Sequence, residues 1–152
     1  MKITRELLKE WRACWNPDQY DAVESRLGKT PTVRAVCTDA KISLDDRLWV
    51  VAHALWKADP DHAALWAVEC AESVTKHAGD ARDQEQYAPL MGELRTIILT
   101  TPRGSDLREA KLAEWRSAWA AARAAAWDAA WDAALRKQID RALEMLGGEA
   151  DS

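Results

Sequence analysis

The chain has 152 residues, of which 48% are hydrophobic and 30% are charged, and its formal net charge is −4. This length and composition exclude a disordered chain and predict one globular domain over residues 1–152. The mildly acidic balance argues against direct binding to nucleic acid or to an anionic membrane, because both would require a basic surface.

Local signals mark the first two helices. Thr4 can cap a first helix whose apolar positions reach Trp15 at helical spacing. Asn16 and Pro17 end that helix and begin a second one, because asparagine suits the N-cap and proline suits the first turn. Gly28 suits a left-handed position at the C-terminal end of the second helix.

Three further helices are predicted from the same kinds of start signal. The Thr-Pro-Thr segment at 30–32 opens a short helix, and Ser43 caps a longer one. Asp59 and Pro60 repeat the pattern of a cap followed by proline, and the helix that they begin runs to Gly79.

The remaining segments complete an all-α fold. Pro89 precedes another amphipathic set of apolar residues, and TTPRGS at 100–105 is the clearest linker. β-Branched residues do not alternate with polar ones over any long stretch, so we expect no sheet. The sequence predicts a helical bundle over residues 1–100, followed by a long Ala/Trp-rich C-terminal helix over 105–146.

The C-terminal helix is long for its domain. Ser105 suits the N-cap, and no residue from Asp106 to Leu146 would stop a helix. At about 1.5 Å per residue the rod would be roughly 62 Å long, whereas a compact domain of this size is roughly 40 Å across. We therefore expect this helix either to bend or break, or to meet another molecule with its surplus length.

Large side chains recur at every fourth position of this helix. They are Trp115, Trp119, Arg123, Trp127, Trp131, Leu135, Ile139 and Leu143. Because an α-helix turns every 3.6 residues, the row drifts by about 40° per step and cannot face a single flat neighbour. Aromatic rows at helical spacing are usually core, but Trp and Arg are also enriched at binding hot spots. The candidate partner-binding residues are Trp115, Trp119, Arg123, Trp127, Asp128, Trp131 and Asp132.

No motif predicts an active site. Asp128 and Asp132 lie one turn apart, but no third carboxylate is near in sequence, so a solvated acidic face is favoured over a metal site. The histidines lack H-x-x-x-H spacing, and His53, on an apolar helix, is expected to be a hydrogen-bonded core residue. Glycine-rich phosphate loops are absent from the sequence. We expect no catalytic residue, no cofactor and no metal.

The cysteines and the apolar runs indicate the compartment. Cys14, Cys37 and Cys70 are odd in number and form no C-x-x-C pair, which predicts free, mostly buried thiols in a reducing environment. Residues 1–9 lack the apolar core of a signal peptide, and the longest charge-free apolar run, 48–56, is too short to span a bilayer. We expect a cytoplasmic protein without membrane contact.

Three stretches carry a family resemblance: LLKEWRACWNPDQ near the N-terminus, ALWAVECAESVTKH in the centre, and AWAAARAAAWDAAWDAA in the C-terminal helix. In this order they resemble the Ala/Trp-rich immunity proteins of bacterial polymorphic toxin systems and their phage-encoded relatives. Such proteins share a WxAC start, an LxxxxCAE helix and a variable run of Ala, Trp, Arg and Asp. This chain departs from them in its short tract, which holds Arg123 where relatives have several arginines.

The resemblance implies a protein that neutralises another protein without catalysis. The partner would be a toxin or, in a phage setting, a subunit of a host defence complex, as with anti-CRISPR proteins. That family has no agreed catalytic residues, so none is transferred to this chain. Three alternatives stay open: a small-molecule binder with a Trp/Arg cage, an enzyme assembled from dispersed His, Cys and acidic residues, and a structural homodimer with the long helix as its seam.

Overall fold

The structure of the chain is a computed structural model. The structure describes residues 1–78, 81–102, 104–111, 113 and 130–152. Within those ranges, the backbone alone is described for residues 71, 74–78, 81–88, 90–91 and 130–133.

The described residues form helices connected by short turns. In chain order these are α1 (Arg5–Glu10), α2 (Pro17–Leu27), α3 (Val33–Thr38), α4 (Leu44–Ala58), α5 (Pro60–Ala78), α6 (Ala81–Thr100), α7 (106–111) and α8 (Ala130–Leu146), with a 3₁₀ turn at Gly147–Ala150. No strand occurs in this part of the chain, where one isolated β-bridge joins Lys2 and Thr32. The predicted all-α, helix-bundle class is confirmed.

The N-caps that the sequence predicts are confirmed by hydrogen bonds from backbone N–H groups one turn later. The capping side chains are those of Thr4, Asn16, Thr32, Ser43, Asp59 and Ser105. At Asn16 the capping box is complete, because the side chains and backbone N–H groups of Asn16 and Gln19 are joined by two bonds of 2.9 Å. Each such cap stabilises its helix by about 1 kcal/mol.

Helix α1 ends earlier than predicted. The sequence pattern continues to Trp15, but the helix ends at Glu10 and Trp11 is its C-cap. Arg12 has a φ of 61°, its N–H donates to the Lys9 carbonyl, and the Ala13 N–H donates to the Leu8 carbonyl, each at 2.9 Å. These bonds define a Schellman motif, which terminates a helix through a left-handed residue that is usually glycine.

Two other boundaries also differ from the prediction. Gly28 has the expected positive φ of 84°, but its ψ of 173° places it outside the left-handed helical region. Helix α6 begins at Ala81 rather than after Pro89, and Pro89 lies inside it. The upstream residues Ala, Arg, Gln and Glu are strong helix formers, which outweighs the start signal expected from proline.

The chain divides into two compact units, each described separately. The first consists of Met1–Ala58 and Ile139–Ser152, and the second of Asp59–Gln138. In the first, α3 packs against α4, and the deeply buried residues include Ile3, Val33, Val36, Val50, Val51 and Leu55. In the second, α5 packs against α6, and the deeply buried residues include Val68, Leu94 and Leu135. The interpretation of residues 1–152 as one domain stays a prediction.

The segment predicted to form a long C-terminal helix is described only near its two ends. Residues 106–111 and Ala130–Leu146 are helical, and the predicted end at Leu146 is confirmed because Gly147 follows it with a φ of 53°. Residues 114–129 lie outside the described residues, so one unbroken helix over 106–146 stays a prediction.

Candidate functional site

The predicted partner-binding row falls almost entirely in the part of the chain that is not described. Five of its members lie outside the described residues: Trp115, Trp119, Arg123, Trp127 and Asp128. Trp131 and Asp132 lie in the first turn of α8, and their side chains are outside the described part. This row stays a prediction, and the site that the structure does describe lies elsewhere.

Three rings meet in the first unit, those of Trp11, Trp49 and His53, and Trp56 lies one turn beyond His53 on α4. We term these four residues the aromatic face. The ring centroids of Trp49 and His53 are 4.1 Å apart, and those of Trp11 and His53 are 5.4 Å apart. Trp11 and Trp49 meet edge to face, with centroids 6.2 Å apart and planes at 68°. Such pairs contribute about 0.5–1.5 kcal/mol beyond the area that they bury.

Helix periodicity explains why three of these rings share one side of α4. Trp49, His53 and Trp56 are spaced by four and three residues, so they follow one another along the helix surface. The buried residues of α4 are Val50, Val51, Ala54 and Leu55. At about 100° per residue, that buried set is centred roughly opposite Trp49 and Trp56. The rings therefore lie on the side of α4 turned away from its core contacts.

The fourth ring is positioned by the end of α1. The Trp11 N–H donates to the Leu7 carbonyl at 2.9 Å, and the Schellman motif turns the chain directly after it. Arg12 is the non-glycine residue with positive φ in the described part of the chain, and strained residues of this kind often lie at functional sites. The strain thus occurs next to the aromatic face.

Exposure differs across the aromatic face. Trp56 is 56% exposed, and Trp11, Trp49 and His53 are half-buried. His53 was expected to be a core residue, which is wrong, but the expected hydrogen bond is present, because its Nδ1 donates to the Trp49 carbonyl at 2.9 Å. Among the described residues, His53 has no hydrogen bond to a carboxylate, hydroxyl or thiol. The exposed fractions of these rings leave part of the aromatic face accessible to solvent.

Gln138 is a buried polar residue of the second unit, and its bonds to described residues are to backbone and side-chain groups of the fold. The Trp66 Nε1–H donates to the Gln138 carbonyl at 2.9 Å, and the Gln138 Nε2 donates to the Cys70 carbonyl at 3.5 Å. Gln138 is 5% exposed, so these bonds satisfy groups that would otherwise be costly to bury. Trp66 and Cys70 belong to the central motif of the family resemblance, and these hydrogen bonds join them to α8 within the second unit.

Arg108 is also a buried polar residue, with 5% of its surface exposed. Its guanidinium forms an ion pair with Asp61 and donates to the carbonyls of Ile98 and Thr101 at the end of α6. An arginine can hold three such acceptors because its donors are fixed in a planar fork. No sequence pattern predicts this contact, since its members are dispersed over 61–108.

The three cysteines are free, as predicted, but their burial is not uniform. Cys37 and Cys70 are buried and Cys14 is exposed. Burial raises the pKa of the Cys37 thiol to about 12 and also raises the pKa of the Cys70 thiol well above its ordinary value. The prediction was wrong for Cys14 because α1 ends at Glu10, so the apolar face of that helix does not extend to residue 14.

A small cleft in the first unit is lined mainly by apolar residues, including Ile3, Leu8, Trp15 and Tyr20. Its volume of about 10 Å³ suffices for a single water molecule. Pockets for small ligands are usually 300–1,000 Å³, so this cleft does not supply the site that a small-molecule binder would require.

In the described ranges no group of three or more His, Cys, Asp or Glu side chains could hold a metal ion. No helix in those ranges is long and apolar enough to cross a membrane. Neither the protein-family models, nor the curated proteins, nor the solved structures give a match to this chain.

Proposed function

We propose that the protein binds another protein and neutralises it without catalysing a reaction, and that the aromatic face is part of the contact surface. The observation that carries the proposal is the exposure of Trp56, two turns along α4 from Trp49 and on the same side of the helix, where Trp11 packs against Trp49. Tryptophan is enriched at binding hot spots because one rigid side chain offers a large apolar area together with a polar N–H.

The aromatic face differs from the other exposed apolar residues of the chain. Leu99 and Leu107 are 67% and 56% exposed, but singly exposed leucines are ordinary on protein surfaces. Three of the nine tryptophans belong to the aromatic face, on the side of α4 turned away from its core contacts. Because so many indoles would bury more apolar area in a core, their placement supports a role outside folding.

The resemblance to immunity proteins supports the same class of function. On that basis the partner is a toxin or a subunit of a defence complex, encountered in the cytoplasm. The predicted row from Trp115 to Asp132 remains a second contact surface in this proposal. The experiments below distinguish this proposal from two alternatives, a structural homodimer and a small-molecule binder.

The test compares three versions of the full chain. Wild-type protein, Trp56→Ala and Leu99→Ala are immobilised and exposed to lysate, and the captured proteins are identified by mass spectrometry. Leu99→Ala is the matched control, because it also removes an exposed apolar side chain. We expect one captured protein whose amount falls at least tenfold for Trp56→Ala and is unchanged for Leu99→Ala, since a hot-spot truncation costs about 2 kcal/mol or more.

Three further measurements complete this test. Thermal melting should be unchanged for Trp56→Ala, because an exposed side chain contributes little to folding. Light scattering of the free protein reports a homodimer directly. Co-expression of this chain with the captured protein should restore the growth of the expressing cells or block the activity of the captured protein. Capture that is equal for all three versions would refute the role of the aromatic face.

A further inference from the structure

We draw no further inference here: the strongest candidate, the aromatic face on the side of α4 turned away from its core contacts, carries nothing beyond the proposed function, because nothing in the described part of the chain shows what covers it.

Discussion

Replacing Arg12 by glycine is expected to stabilise the protein. Arg12 has a φ of 61°, and its exposed side chain forms no hydrogen bond or ion pair with a described residue. A left-handed conformation costs an L-residue about 1–2 kcal/mol, and glycine removes this cost. Glycine also destabilises the folded state by about 0.5–1 kcal/mol, because it has more conformational freedom to lose when the chain folds. The net gain in the free energy of unfolding is therefore about 0.5–1 kcal/mol, or roughly 1–4 °C in melting temperature.

Urea denaturation of three variants measures this effect. Arg12→Ala removes the same charge but keeps a Cβ atom in the left-handed conformation, so it should change stability by less than about 0.5 kcal/mol. Gly28→Ala should have the opposite sign. Gly28 has a φ of 84° and a ψ of 173°, and an added Cβ would meet no atom within 4 Å, so its cost of about 1–3 kcal/mol would come from the backbone alone.

A lower stability of Arg12→Gly than of Arg12→Ala would refute this reasoning. It would mean that the left-handed conformation is not a cost to the folded state, and that the Schellman motif does not end α1. If Arg12→Gly is stabilised and capture of the partner is weakened, the strain also serves to position Trp11.

The remaining predictions concern the second unit, the thiols and the long helix. Arg108→Met should lower the free energy of unfolding by about 2–3 kcal/mol, as measured by urea denaturation. This loss is smaller than for a fully buried ion pair because the acidic partner, Asp61, is partly exposed. A loss below about 0.5 kcal/mol would contradict the contacts described for Arg108. In the native protein, thiol reagents should label Cys14 rapidly and Cys37 and Cys70 slowly. Because the pKa of the Cys37 thiol is raised from 9.0 to about 12, the stability contributed by the neutral thiol is present below about pH 9 and is lost as the pH rises towards 12. A Cys37→Ser variant should therefore lose less stability than the wild type over that range. Hydrogen exchange should find the amides of 114–129 protected as one helix, and a freely exchanging loop of several residues there would count against the long helix.

Local sequence determined the starts of the helices that carry an N-cap side chain. Asn16, Pro17 and Gln19 are consecutive or nearly so, and their hydrogen bonds close within one turn, so the capping box could be inferred without any distant partner. The same holds for Ser43, which accepts from the backbone N–H of Asp46 at 3.1 Å. The all-α class follows from these signals and from helical periodicity, and both depend on residues at most a few positions apart.

Tertiary structure decided the end of α1 and the aromatic face. The apolar spacing from Leu7 to Trp15 favours a longer helix, but periodicity cannot show that a Schellman turn at Arg12 places Trp11 against α4. Trp11 and Trp49 are 38 positions apart in sequence. Their contact depends on how two helices pack rather than on the preference of either one.

The same limit applies to burial. The run from Leu48 to Trp56 has an almost uniform apolar composition, so its composition does not show which side of the helix is buried. Packing covers one side of α4, so Val51 is fully buried while Trp56 is 56% exposed. Composition determined that this segment is a helix, but the neighbours available to α4 decided which of its apolar residues became core and which became surface.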